Sequence, residues 1–203
     1  SILATFEGEF KAAAIMIILA VVADSMDGRV ARALGVSGEF GKELDSLCDV
    51  CSFGVAPGVL IYQYALMDLG LIGQLLAAFF AICGALRLAR FNVNAAVVHG
   101  YFVGMPIPAG GCVVATYILS GYSFPITAVA VGTAIVAVIM YSEIKFPDFK
   151  GKGNPMYATP VVISFVAGLY LLYMRPVAWP FIIMFTYTLA GILNFMYIKA
   201  TNK

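Results

Sequence analysis

The chain has 203 residues, 62% of them hydrophobic and 11% charged, with a mean hydropathy of +0.96. A soluble domain carries roughly 25% charged residues and roughly 45–50% apolar ones. The composition excludes a disordered chain, a nucleic-acid binder built on a basic surface and most soluble enzymes, and leaves an integral membrane protein.

At about 20 residues per span, this length allows seven or eight helices with short loops. That makes a single membrane domain over residues 1–203. The net charge of +1 says nothing about partners. The four cysteines, Cys48, Cys51, Cys83 and Cys112, lie in apolar stretches and read as small buried hydrophobes. Cys48-x2-Cys51 looks like half of a zinc motif, but no second pair or His cluster completes it. Residues 1–11 show no signal-peptide pattern, and the chain opens as though an upstream segment were missing.

Seven apolar runs follow in order, at residues 12–33, 40–67, 69–91, 106–122, 124–141, 157–174 and 177–198. They are too long and continuous for the alternating strands of a barrel. The fourth and sixth are short for a bilayer. Gly, Pro and Asn mark the breaks, as in Gly121-Tyr-Ser-Phe-Pro125 and Arg175-Pro176. The expected fold is all-α, a polytopic transmembrane helical bundle of about seven spans.

Basic residues orient it. With the end of the first span on the cytoplasmic side, that side holds Arg29, Arg32, Lys42, Arg87, Arg90, Lys145, Lys150, Lys152, Lys199 and Lys203, against Lys11 and Arg175 on the other. This asymmetry is the positive-inside pattern. The segment Glu143–Lys152 reads as a solvated cytoplasmic loop near anionic headgroups. Trp179, Tyr173 and Tyr197 read as interfacial anchors. His99, the one histidine, falls in a Gly-flanked loop and reads as non-catalytic.

The chemistry concentrates in residues 24–49. Asp24, Asp27, Asp45 and Asp49 fall near the cytoplasmic ends of two hydrophobic spans. A carboxylate there is costly unless it is used, so it marks a functional site. At about 100° per residue, Asp27, Gly28 and Ala31 lie within about 60° of Asp24 on one helix face. By the same arithmetic Gly41, Asp49 and Ser52 lie within about 40° of Asp45 on the next helix. A short turn, about 34–39, makes the two helices antiparallel neighbours whose acidic faces can oppose each other.

Four converging carboxylates repel unless cations join them. Oxygen-only ligands suit Mg²⁺ or Mn²⁺, and also Ca²⁺, rather than Zn²⁺. Four aspartates can hold two such ions with one carboxylate bridging. Gly28, Ala31 and Gly41 keep the groove free of bulky side chains, so a flat ring or a phosphate can approach the backbone. Arg32 adds a bidentate phosphate donor. Charges that merely solvate helix ends account for Glu39, Lys42 and Glu43. They do not account for four aspartates sharing two faces with three small residues.

The pattern Asp24-x2-Asp27-Gly28-x2-Ala31-Arg32-x8-Gly41-x3-Asp45-x3-Asp49 resembles, without a gap, the signature of the CDP-alcohol phosphotransferases. The resemblance implies transfer of a substituted phosphate from a CDP-linked donor to an alcohol, with release of CMP. It also implies a membrane bundle, two divalent cations per site and a homodimer, and a further helix upstream of the signature that is mostly absent here. Asp24, Asp27, Asp45 and Asp49 become the metal ligands. Asp27, Gly28, Ala31, Arg32 and Gly41 become the donor site. Asp49 becomes the general base.

Three more stretches, Asp49-Val-Cys-Ser-Phe-Gly-Val-Ala-Pro57, Arg87-Leu-Ala-Arg-Phe-Asn92 and Phe102-Val-Gly-Met-Pro-Ile-Pro108, are similar to the bacterial and archaeal phosphatidylserine synthases. The likeness covers about residues 20–110. It implies CDP-diacylglycerol and L-serine as substrates, phosphatidylserine and CMP as products, and an active site on the cytoplasmic face of a prokaryotic cell membrane among lipids. Arg87 and Arg90, at i and i+3, share a helix side and can grip the serine carboxylate or a lipid phosphate. Asn92 and Ser52 are polar groups within the same region. Two alternatives stand beside this reading. One is a CDP-alcohol enzyme making phosphatidylglycerol phosphate or a phosphoinositide. The other is a cation transporter, which calls for mid-span acids and internal repeats.

Overall fold

The computed structural model describes residues 1–35, 38–94, 101–147 and 157–201. A short helix, α1 (Ile2–Phe6), leads into α2 (Phe10–Ala33). Next comes one long rod: α3 (Glu39–Asp49), a π turn (Val50–Val55), α4 (Ala56–Ile61), a second π turn (Tyr62–Leu66) and a closing 3₁₀ turn (Met67–Leu69). Then follow α5 (Leu71–Asn94), α6 (Ile107–Ser120), α7 (Ile126–Tyr141), α8 (Ala158–Met174) and α9 (Trp179–Thr201).

The expected all-α bundle is what forms. Glu39–Leu69, Leu71–Val93 and Pro176–Thr201 are each long and apolar enough to cross a membrane. The chain is an integral membrane protein. Ile107–Ser120, Ile126–Tyr141 and Ala158–Met174 are apolar but shorter. At 1.5 Å per residue they reach about 21–26 Å, short of a hydrocarbon core of about 30 Å. Helix α2 is long enough, but Asp24, Asp27 and Arg29 interrupt its second half.

With lipid outside, apolar contact does little to drive helices together, so close packing of small residues matters more. The rod and α5 show this. A Cβ placed on Gly58 would stand 2.9 Å from the Ala77 carbonyl oxygen, so only glycine lets the two backbones approach this closely. Helix α6 buries nine of its 14 residues. It packs against α2, α9 and the first π turn. Phe53, Leu60, Phe80, Met105, Ile107 and Met140 fill the centre.

Two features depart from the sequence reading. A two-stranded antiparallel ribbon joins β1 (Tyr101–Val103) to β2 (Lys145–Pro147), with Phe102 opposite Phe146. Phe146 is fully buried beside Tyr187, ring centroids 5.2 Å apart, so the ribbon is sewn into the bundle. The cysteines also differ from expectation. Cys83 is buried, but Cys48 and Cys51 are exposed, because they lie on the outward side of the rod.

An aromatic chain marks the end of the bundle remote from the aspartates. Phe10 meets Tyr64 at 5.4 Å, Tyr64 meets Tyr117 at 5.9 Å, and Tyr117 stacks on Phe124 at 5.8 Å. Phe10 opens α2, while Asp24 and Asp27 lie about 21–26 Å further along the same helix. Tyr173 and Trp179 are exposed, as interfacial anchors would be. His99 and the loop residues from 148 to 152 lie outside the described residues.

Candidate active site

The acids do converge. One carboxylate oxygen each from Asp24, Asp27 and Asp45 lies within 4.8 Å of the others. Asp24 is half-buried, and Asp27 and Asp45 are exposed. Asp49 is half-buried, with Asp24 and Asp45 among its neighbouring acids. The spacing in the sequence explains this, since i, i+3 and i, i+4 positions stack on one helix face.

Asp24 and Asp27 on α2 meet Asp45 on α3, so the two acidic faces oppose each other. Beyond α3 the same rod contacts α2 through the π turn and α4. Gly41 stands exposed, and a Cβ built on it meets nothing within 4 Å. Protein packing therefore gives no reason for glycine there, whereas a ligand lying against the backbone does. Gly28 is half-buried, and its N–H donates to Asp27 Oδ1 at 2.5 Å. Ala31 is half-buried on the same helix. The Arg32 backbone belongs to α2, and its side chain lies outside the described residues.

The donor set fits a hard cation. Ligands on one Mg²⁺, Mn²⁺ or Ca²⁺ at about 2.0–2.6 Å stand at most about 4–5 Å apart. Among the described residues this is the one group of three or more acids, cysteines or histidines with such spacing. All its ligand atoms are carboxylate oxygens, as hard divalent cations prefer.

Arg87 and Arg90 divide their tasks. Arg90 Nη2 donates to the Ser142 carbonyl at 2.7 Å and to the Val103 carbonyl at 3.4 Å, and its guanidinium lies 4.9 Å from the Tyr141 ring centroid. It ties α5 to the ends of α7 and β1. Arg87 is 4% exposed. Its guanidinium lies 5.1 Å from the Phe91 ring and 5.7 Å from the Phe102 ring. Asp49 and Tyr187 are among its polar neighbours. Its Nε is buried and has no hydrogen-bond partner among the described residues. Buried donors are nearly always satisfied, so this one calls for an explanation.

Ser52 and Asn92 are also placed. Ser52 falls inside the π turn and is half-buried. The constant angular step that grouped it with Asp45 and Asp49 stops at Val50, where i→i+5 bonding widens the helix. Asn92 Nδ2 donates to Ser46 Oγ at 2.8 Å. Ser46 and Tyr187 were not singled out in the sequence, because each joins the site through a long-range contact.

The sequence model of the CDP-alcohol phosphatidyltransferase family matches residues 1–143. The chain belongs to that family. CDP-alcohol phosphatidyltransferases generally use divalent cations, in keeping with the acidic cluster. The chain is 42% identical to the archaetidylserine synthase of Methanothermobacter thermautotrophicus over 156 residues, 75% of this chain and 65% of that protein. It is 34% identical to the CDP-diacylglycerol–serine O-phosphatidyltransferase of Helicobacter pylori over 197 residues, 94% of this chain and 82% of the relative. The Bacillus subtilis protein of the same name is 45% identical over 139 residues, 68% of this chain and 76% of its own. The matched region thus spans just under two thirds of the archaeal relative's length.

Proposed function

We propose that this CDP-alcohol phosphatidyltransferase moves the phosphatidyl group of CDP-diacylglycerol to the hydroxyl of L-serine, giving phosphatidylserine and CMP. The observation that carries the reading is the convergence of Asp24, Asp27 and Asp45, with Asp49 beside them, in a chain whose relatives bear serine-transferase names. Family membership leaves the transporter alternative without support.

In this reading the metal ligands are Asp24, Asp27, Asp45 and Asp49, holding two Mg²⁺ or Mn²⁺ ions, with Ca²⁺ also accommodated. Bound there, the cations neutralise pyrophosphate charge and make the phosphorus more electrophilic. Gly28, Ala31 and Gly41 give the cytidine and ribose access to the backbone, and Arg32 grips phosphate oxygens. Asp49 accepts the proton of the serine hydroxyl. The serine oxygen bonds to the lipid-side phosphorus, and the bond from that phosphorus to the bridging oxygen breaks. CMP leaves with that oxygen. Arg87 holds the serine carboxylate, which supplies the acceptor its buried Nε lacks. Ser52 remains a polar group available to the acceptor, whereas Arg90 and Asn92 have protein partners.

The domain is single, works as a homodimer in the cytoplasmic membrane of a prokaryote, and faces its site toward the cytoplasm and the neighbouring lipid headgroups. The positive-inside asymmetry supports that orientation. The test is CMP release from CDP-diacylglycerol by purified protein in mixed micelles. Release requiring both L-serine and Mn²⁺ or Mg²⁺ supports the reading. Release driven by glycerol 3-phosphate or inositol instead of serine assigns another acceptor.

A further inference from the structure

Helix α3 carries Asp45 and Asp49, yet none of its residues between Glu39 and Asp49 is buried. Among the described residues it makes few close backbone contacts with elements outside its own rod. It is the exposed opening segment of the Glu39–Leu69 rod, so no buried side chain of its own fixes where its acids stand. A metal centre, however, needs its ligands held to within about 0.5 Å.

Among the described residues, one side-chain hydrogen bond ties α3 to another element. Asn92 Nδ2, at the end of α5, donates to Ser46 Oγ at 2.8 Å. Ser46 Oγ in turn donates to the Lys42 carbonyl at 3.1 Å, so the link passes from α5 into the backbone of α3. Ser46 directly follows Asp45 and precedes Asp49 by one helical turn. Asn92 stands on the same helix as Arg87, one and a half turns further on.

We propose that Asn92 and Ser46 are positioning residues, a latch that registers the Asp45–Asp49 pair against Asp24 and Asp27. The inference rests on the reading of those aspartates as metal ligands. It also gives Asn92 a task distinct from contact with the acceptor. The bond spans 46 positions, so it joins the donor-side helix to the helix that carries Arg87.

The test is Mn²⁺ binding followed by electron paramagnetic resonance on purified protein in lipid nanodiscs, a readout separate from turnover. Asn92→Ala and Ser46→Ala each weaken Mn²⁺ binding roughly tenfold, the lower end of what outer-shell partners contribute. The double variant is no weaker than either single one, because both remove the same bond. Ser46→Thr keeps the hydroxyl and binds like the parent. At saturating Mn²⁺ the serine KM of Ser46→Ala is unchanged. Parental Mn²⁺ affinity in the two alanine variants, or losses that multiply in the double variant, overturns the latch. If Asn92→Ala does not yield folded protein, Ser46→Ala on the exposed helix decides alone. A parent protein that binds no Mn²⁺ removes the metal reading itself and the latch with it, an outcome distinct from unaltered binding in the variants.

Discussion

Arg87 and Asp49 are charged neighbours reached from opposite sides, a guanidinium on α5 and a carboxylate at the end of α3. Arg87 is almost wholly enclosed, with two phenyl rings over it. A charge so enclosed is costly unless partners compensate it. In the proposed function this pair is the anchor for the serine carboxylate and the base for its hydroxyl.

Asp49→Asn keeps the shape of the site and removes the proton acceptor. Turnover falls by roughly 10²–10⁴-fold, the usual contribution of general base catalysis. CDP-diacylglycerol binding, measured by isothermal titration calorimetry, is largely retained. Near-normal CMP release from the variant would reassign the base.

Arg87→Ala raises the serine KM by roughly 10–100-fold, since a hydrogen bond to a charged group contributes about 1.5–3 kcal/mol. Arg90→Ala behaves otherwise. It leaves the Ser142 and Val103 carbonyls without their donor, and it lowers the Tm with little effect on serine KM. Serine titrations and thermal unfolding of both variants separate the two roles. An equal KM increase in both would restore a joint clamp.

Gly41→Val tests whether the open space above that residue belongs to a ligand. A side chain there meets nothing in the protein, so the Tm stays at the parental value. Donor turnover drops on the order of 10²-fold in kcat/KM, the scale of a misplaced substrate. A stable variant with unchanged kinetics would leave the groove without a donor.

Chelation with EDTA abolishes CMP release, and Mn²⁺ or Mg²⁺ restores it. Zn²⁺ restores it poorly, because the site offers only carboxylate oxygens. Asp27→Ala, at the exposed edge of the cluster, raises the Mn²⁺ concentration needed for half-maximal activity. Activity that survives exhaustive chelation would exclude cations from the reaction.

The sequence by itself determined the helical membrane bundle and the identity of the acidic site. Both rest on local periodicity: apolar runs long enough for a bilayer, and aspartates at intervals that one helix face must share. The boundaries of α2, α6, α7 and α8 follow the apolar runs closely for the same reason. Only the tertiary structure decided which polar residues are free for a ligand. Arg87 and Arg90 look equivalent at i and i+3, yet one is enclosed by Phe102 and the other is held by Ser142, 52 positions away. Ser52 sits in a π turn that begins at Val50, which helical periodicity does not announce. Asn92 met Ser46 because α5 folds back beside the rod. Contacts between distant segments depend on how helices stack, and neither hydropathy nor helical periodicity records that stacking.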